Sequence, residues 1–263
     1  MVGPGPETNH PNGVVVVKIG GSTLGSGDTS LRDLLEWQAR ENQVVVVHGG
    51  GKTITAWLTK HGIASRFVGG LRVTDTASLE IATAVLAGLV NKELVAQISA
   101  LGGRAVGVSG ADGGLIRARI KDPELGYVGE VEYVNPSLLR ALTDAGYVPF
   151  VAPIGLGEGG QLLNINADTV AGDIAAALGA QRLIFLTDVP GILDGDGRLL
   201  RSLDAGSAID LAKRGTISGG MLPKVEACLR ARAGGARAQI LDARAPGALL
   251  AALDGAPLGT MIE

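Results

Sequence analysis

Apolar and polar positions alternate in blocks along the chain. Residues 14–18 read VVVVK, an unbroken apolar run closed by a cation, and residues 30–42 (SLRDLLEWQAREN) follow with apolar positions at helical spacing. The pair recurs. QVVVVHG (43–49) precedes a helical stretch from Thr53 to His61. RAVGVSG (104–110), YVPFVAPIG (147–155), RLIFLTD (182–188) and ARAQILD (236–242) repeat the strand pattern, with helices between them. Continuous apolar strands bounded by glycine predict a parallel sheet covered on both faces. Strand–helix alternation then predicts an α/β protein, a three-layer αβα sandwich with an open, mainly parallel central sheet. FVGGLRVTD and YVGEVEYVN alternate as short hairpins beside that sheet would. Residues 76–101 predict a long helix, apolar around most of its girth. Burial between the sheet and a partner subunit explains that pattern, and so does deep burial within a monomer. The best boundary falls at LGAQR (178–182), separating a lobe at 14–179 from one at 180–263. Residues 1–13, MVGPGPETNHPNG, read as a loose tail, without the basic start or apolar centre of a signal peptide.

Composition narrows the function classes. The 263 residues suffice for one large domain or two lobes sharing a sheet. A hydrophobic fraction of 46% with only 3% aromatic builds a core, but no stacking platform for single-stranded nucleic acid. A net charge of -3 and a pI near 5.7 speak against nucleic-acid and membrane-surface partners. The single cysteine, Cys228, excludes an internal disulfide and fits a reducing compartment. It shares a helical face with Val225 and Leu229, as a core cysteine does. No apolar run approaches the ~20 residues of a bilayer span, so the expectation is a cytoplasmic globular protein.

Several motifs fail on inspection. HGGGKT (48–53) ends like a phosphate-binding P-loop, but the loop's first glycine should stand at position 46, which is Val46 inside a strand run. GLGEGG (155–160) matches a dinucleotide fingerprint without a helix to follow it. GVSGA (107–111) lacks the second glycine of a nucleophile elbow, and DGDG (194–197) reads as a turn. Three histidines, one of them in the tail, offer little for a serine triad or a zinc site.

What survives is a set of glycine turns at strand ends: KIGGSTLG (18–25), HGGGK (48–52), SGADGG (109–114) and TDVPGI (187–192). In a parallel sheet they share the ligand-binding edge, where glycine and helix N-termini suit an anion. Lys18 closes a buried strand, a costly place for a cation without an anionic partner. Lys224 follows Pro223 at a helix start, where the dipole disfavours a lone cation, although a surface lysine would read the same way. Asp168 in NINAD (164–168) is placed as the N-cap of the next helix; capping alone would explain it, and so would a carboxylate that holds both lysines.

The segments KIGG, HGGG, GLRVTD, LVNKEL, SGADGGLI, VGEVEYVN, NINADTVAG, LTDVPGIL and SGGMLPKVEACL, in this order, resemble the N-acetylglutamate kinases of the amino acid kinase superfamily. The resemblance runs from about residue 14 to the C-terminus. It implies phosphoryl transfer from ATP, with Mg2+, to the side-chain carboxylate of N-acetyl-L-glutamate, an early step of arginine biosynthesis. It also implies an N-terminal lobe for the amino-acid substrate and dimerisation, and a C-terminal lobe for ATP. By position, Lys18 and Lys224 match the catalytic lysines and Asp168 the aspartate that orients them. Arg72 matches the residue gripping the α-carboxylate, Asn164 a contact to the amino-acid end, and Gly50 and Gly51 the backbone donors of the substrate loop. Gly21, Asp188, Val189, Gly191, Ile192, Leu193, Thr216, Ile217 and Ser218 match the surroundings of ATP. Magnesium would be held mainly by phosphate oxygens and water, so no protein metal ligand is assigned.

Two departures adjoin the substrate crevice: Ser22 and Thr23 where many relatives have Asn-Ala, and Lys52 and Thr53 where many have Pro-Gln. Arginine-inhibited members of that family carry an extra N-terminal helix that links dimers into a hexamer; set against them, the short Gly/Pro-rich tail makes a homodimer without strong arginine inhibition the expectation that the resemblance implies. One rival reading is a kinase for aminoadipate or glutamate linked to an acidic carrier protein, which should show a basic docking face. Another is a non-catalytic amino-acid sensor, which should have lost a catalytic lysine or Asp168.

Overall fold

The computed structural model of the chain describes residues 13–20 and 29–263. Its first half comprises β1 (Val15–Ile19), α1 (Ser30–Ala39), β2 (Val44–His48), α2 (Gly51–Lys60), β3 (Phe67–Val68), β4 (Leu71–Arg72), α3 (Thr76–Thr83), α4 (Asn91–Ala100), β5 (Ala105–Ser109), β6 (Ile116–Ile120), β7 (Gly129–Val134) and α5 (Ser137–Asp144). There follow β8 (Val148–Ala152), β9 (Ile154–Leu156), β10 (Leu162–Asn164), α6 (Ala167–Leu178), β11 (Arg182–Thr187), β12 (Ser202–Leu203), α7 (Ala205–Lys213), α8 (Met221–Ala233), β13 (Arg237–Asp242), α9 (Ala248–Leu253) and β14 (Thr260–Ile262).

Among the described residues, eight strands form the central sheet in the order β12-β14-β13-β11-β1-β2-β8-β5, and every pairing is parallel except β13 with β14. The sheet therefore runs through the boundary expected near residue 180, because β1 pairs with β2 on one side and β11 on the other. Strand alternation sends neighbouring valines to opposite faces. Val16, Val45, Val47 and Phe185 join α6 and α8 in one core, while Val15, Val17, Val46 and Ile184 join α1, α2 and the long helix in the other. Burial on both faces is what makes these strands continuous apolar runs rather than alternating ones.

Three expectations need correction. YVGEVEYVN forms no hairpin of its own; its strand, β7, pairs antiparallel with β6 in a four-stranded sheet ordered β10-β9-β6-β7. FVGGLRVTD does make a hairpin, β3–β4. Asp168 is not the cap of α6. Asn166 takes that position with extended dihedrals (φ -65°, ψ 126°), and its side chain accepts the N–H groups of Asp168 and Thr169. The third concerns apolar length. Thr76–Ala100 is a 25-residue helix whose mean hydropathy reaches 1.4, enough by length and composition for a membrane span. Its Ala82, Val85, Leu86, Val90, Leu94 and Ile98 nevertheless pack into the sheet core, so its apolarity serves packing. Between α3 and α4 this helix is π-helical over Ala84–Val90.

Candidate active site

The switch in strand order at β1 opens a crevice at the carboxyl ends of β1 and β2. A cavity of about 240 Å³ lies there, lined by Lys18, Gly50, Gly51, Arg72, Asn164 and Asp168 among others. All four residues expected to hold the substrate thus meet two of the three expected to catalyse. A second cavity, of about 820 Å³, shares Asn166 and Asp168 with the first and adds Gly219, Gly220, Pro223 and Lys224. Asp168 stands in the wall common to both.

Lys18 is next to last in β1 and faces α6 by strand alternation; only 7% of it is exposed. Its Nζ lies 2.8 Å from Asp168 Oδ1, and Lys224 Nζ lies 2.9 Å from Asp168 Oδ2. Lys224 Nζ also donates to Gly220 O at 3.0 Å. Burial works against a charge on Asp168, but the two ammonium groups outweigh it and hold the carboxyl below the usual carboxylate range. The two lysines come from β1 and α8, and the aspartate from the first turn of α6. Close approach of α6 to α8 makes that meeting possible: a Cβ on Gly172 would lie 2.7 Å from Ala227 O.

Arg72 is 8% exposed, yet no carboxylate among the described residues pairs with it. Nη1 donates to Ser65 Oγ (2.7 Å), and Nη2 donates to Gly51 O (3.0 Å) and Thr55 Oγ1 (2.7 Å). The guanidinium lies 4.7 Å from the Phe67 ring centroid. Burial pulls its pKa below the ordinary arginine value. Two of its five N–H donors stay uncommitted, so this is a preoriented cation lacking only an anion. Asn164 Nδ2 donates to Thr74 Oγ1 at 3.2 Å.

The nucleotide expectations are placed differently. Gly21 lies outside the described residues, as do Ser22, Thr23 and the expected tail up to residue 12. Asp188, Val189, Leu193, Thr216 and Ser218 are exposed and line neither cavity, although 216–218 run directly into Gly219 and Gly220. Gly191, Ile192 and Ile217 are buried supports of those loops. Ile192 N donates to Thr260 Oγ1, and Gly191, at φ 144°, leaves no room for a Cβ beside Thr260. Of the four glycine turns, 109–114 and 187–192 do not reach the cavities; in the former, Asp112 accepts the N–H and hydroxyl of Ser109. Lys52 is exposed in the first turn of α2 and lines neither cavity. Cys228 is buried in the core, as expected, and burial pushes its thiol pKa up.

The sequence did not reveal the groups that support the residues lining the cavity. Ser65 and Thr55 position Arg72, and His48 with Asn91 sits beneath the glycine loop. Only His48 and Asn91 carried a signal, their place in HGGG and LVNKEL; Ser65 and Thr55 stand in neither motif.

The amino acid kinase family profile matches residues 13–242. The acetylglutamate kinase of Dehalococcoides mccartyi (strain BAV1) is 44% identical over 261 residues, which is 97% of this chain and 96% of that one. The acetylglutamate kinase of Parvibaculum lavamentivorans is 47% identical over 253 residues, covering 90% of this chain and 83% of its own. Among solved structures, smu.665 from Streptococcus mutans UA159 aligns with a TM-score of 0.83 at 28% identity, over 95% of this chain and 98% of that chain.

Proposed function

The chain belongs to the amino acid kinase family, and we propose that it is an acetylglutamate kinase, transferring the γ-phosphoryl group of ATP to the side-chain carboxylate of N-acetyl-L-glutamate. The observation that carries the mechanism is the Lys18–Asp168–Lys224 cluster in the wall between two cavities, with the acid-free Arg72 lining the smaller one.

In this reading Arg72 binds the substrate's α-carboxylate through its two free donors. Asn164 contacts the amino-acid end, and Gly50 and Gly51 offer backbone N–H groups. The side-chain carboxylate is already ionised, so no base is needed. One of its oxygens forms a bond to Pγ as the bond from Pγ to the β-phosphate oxygen breaks, giving an acyl phosphate and ADP. Negative charge on the transferring group is met by Lys18 and Lys224, which Asp168 holds in place before the substrate arrives. The family resemblance assigns residues 188–193 and 216–218 to the surroundings of the nucleotide, and 216–218 run directly into Gly219 and Gly220 of the larger cavity. Magnesium bound with ATP would neutralise phosphate charge. The carboxylate of Asp168 is committed to the lysines, which fits a metal carried largely by phosphate and water.

The protein is further proposed to be a cytoplasmic homodimer. The long helix Thr76–Ala100 has half-buried Ile81, Leu89 and Val95 beside its core-facing residues, and a partner subunit would cover them. A carrier-linked substrate is disfavoured: it would leave Arg72 without an α-carboxylate, and the net charge of -3 suits no acidic carrier.

A coupled assay of ADP release tests the proposal with N-acetyl-L-glutamate, glutamate, N-acetylaminoadipate and a carrier-linked substrate, each with MgATP, with and without arginine. N-acetyl-L-glutamate should be the preferred acceptor. Absence of turnover on the free acetylated amino acid would refute the reading.

A further inference from the structure

His48 is the last residue of β2 and 1% exposed, and the mechanism above makes no use of it. Its ring nitrogens each have one partner. Nδ1 lies 3.0 Å from Gly49 O, and Nε2 lies 3.0 Å from Asn91 Nδ2. A carbonyl oxygen can only accept and an amide nitrogen can only donate, so the ring is neutral with its proton on Nδ1.

Asn91 cannot turn over to change that assignment. Its Nδ2 also donates to Phe150 O (2.8 Å), and its Oδ1 accepts Lys92 Nζ (3.0 Å), which donates in turn to Gly107 O (2.9 Å). A flipped amide would turn an oxygen toward a carbonyl and an NH2 toward an ammonium. Asn91 is wholly buried and follows directly on the π-helical segment Ala84–Val90. A π-helical turn shifts register within a helix and is found often at functional sites. Here it sets Leu86 and Val90 under the glycine loop, where a Cβ on Gly50 would lie 2.7 Å from Leu86 Cδ2 and 3.5 Å from Val90 Cγ2.

The peptide joining Gly49 to Gly50 is trans, so its C=O and N–H point in opposite directions. His48 holds that C=O toward the protein interior, while Gly49 N donates to Ile19 O in β1, 3.0 Å away. The Gly50 N–H is thereby turned the other way, and Gly49, Gly50 and Gly51 all line the cavity. Gly50 N–H finds no acceptor among the described residues.

We infer that His48, as its neutral Nδ1–H tautomer, is a positioning residue for phosphoryl transfer, locking the Gly49–Gly50 peptide so that the Gly50 N–H faces the anion in the cavity. The inference rests on the kinase reading and adds to it a residue that touches neither substrate.

Two isosteres separate the ring's two contacts. His48→Asn keeps a donor near Nδ1 but deprives Asn91 of its acceptor. His48→Gln keeps an acceptor near Nε2 but loses the donor to Gly49. The inference therefore expects stability and catalysis to rank in opposite orders. In urea unfolding His48→Gln should be the more stable, while in steady-state assays His48→Asn should retain kcat within about tenfold and His48→Gln should lose on the order of 100-fold. A purely structural histidine would give one order in both measurements, with His48→Gln also the more active, and that result overturns the inference. In the unmodified protein, with three histidines in the chain, imidazole 15N spectra at neutral pH should show His48 protonated on Nδ1 alone. An Nε2–H or doubly protonated ring overturns the inference even if neither variant folds. Lack of turnover by the unmodified protein defeats the functional reading instead, and the tautomer still decides the His48 geometry.

Discussion

Replacing Asp168 by Asn keeps the side chain's shape and removes only its charge, so the variant isolates what the carboxylate does. In the native site two ammonium groups lie 2.8 and 2.9 Å from its oxygens, and neither lysine pairs with another carboxylate among the described residues. At an effective dielectric constant of about 20, Coulomb's law assigns each contact on the order of 6 kcal/mol before desolvation is subtracted. Desolvation removes much of that, and breaking a buried pair by deleting one partner typically costs about 3–5 kcal/mol. Lys224 is the more exposed of the two and can move toward water, whereas Lys18 in β1 cannot. The expected loss therefore lies near the lower limit, about 3 kcal/mol, read by urea denaturation at pH 7. Catalysis should suffer separately, because both charge-stabilising donors lose the group that orients them; kcat should fall at least ~100-fold, about 2.7 kcal/mol in barrier. Added phosphate should stabilise the variant more than the parent by supplying the missing anion. An Asp168→Asn protein that loses less than about 1 kcal/mol and keeps kcat within about tenfold would show that the cluster neither stores this energy nor positions the lysines.

Arg72→Lys removes the fork that bonds Ser65, Thr55 and Gly51; KM for N-acetyl-L-glutamate should rise roughly 10–100-fold with kcat changed far less, in steady-state assays. The pKa of His48 is lowered to about 4, by burial first and by Lys18 and Lys92 besides, despite the bond to Gly49. Its folded value lies below the ordinary 6.5, so between these the unfolded chain binds the extra proton. Stability should be full above pH 6.5 and fall by about 3 kcal/mol toward pH 4, and His48→Gln should flatten that slope in urea titrations at stepped pH. Gly172→Ala places a methyl against the α8 backbone. It should cost about 1–3 kcal/mol in urea denaturation and lower kcat, by parting Lys224 from Asp168.

The β-strands of the sheet centre were legible because strands buried on both faces are continuous apolar runs, and VVVVK, VVVVH and RLIFLT need no partner to be recognised. Lys18 was legible for a related reason, since a cation closing such a run demands an anion. Asp168 was found but its local role was misjudged. Asn and Asp cap helices about equally well, and only the extended dihedrals of Asn166 gave it the cap, leaving the aspartate inside the first turn with its carboxylate free for two lysines. Tertiary structure alone decided the rest. β7 looks like a hairpin in isolation and becomes a sheet strand because β6 lies beside it. Arg72 draws Ser65, Thr55 and Gly51 from two other segments, and His48 reaches Asn91, 43 residues away, which in turn reaches Phe150, 59 residues further. Period and turn chemistry are properties of neighbouring residues and can be read along the chain. Which buried donor meets which acceptor depends on how packed elements cross, and that arises only when the layers close on one another.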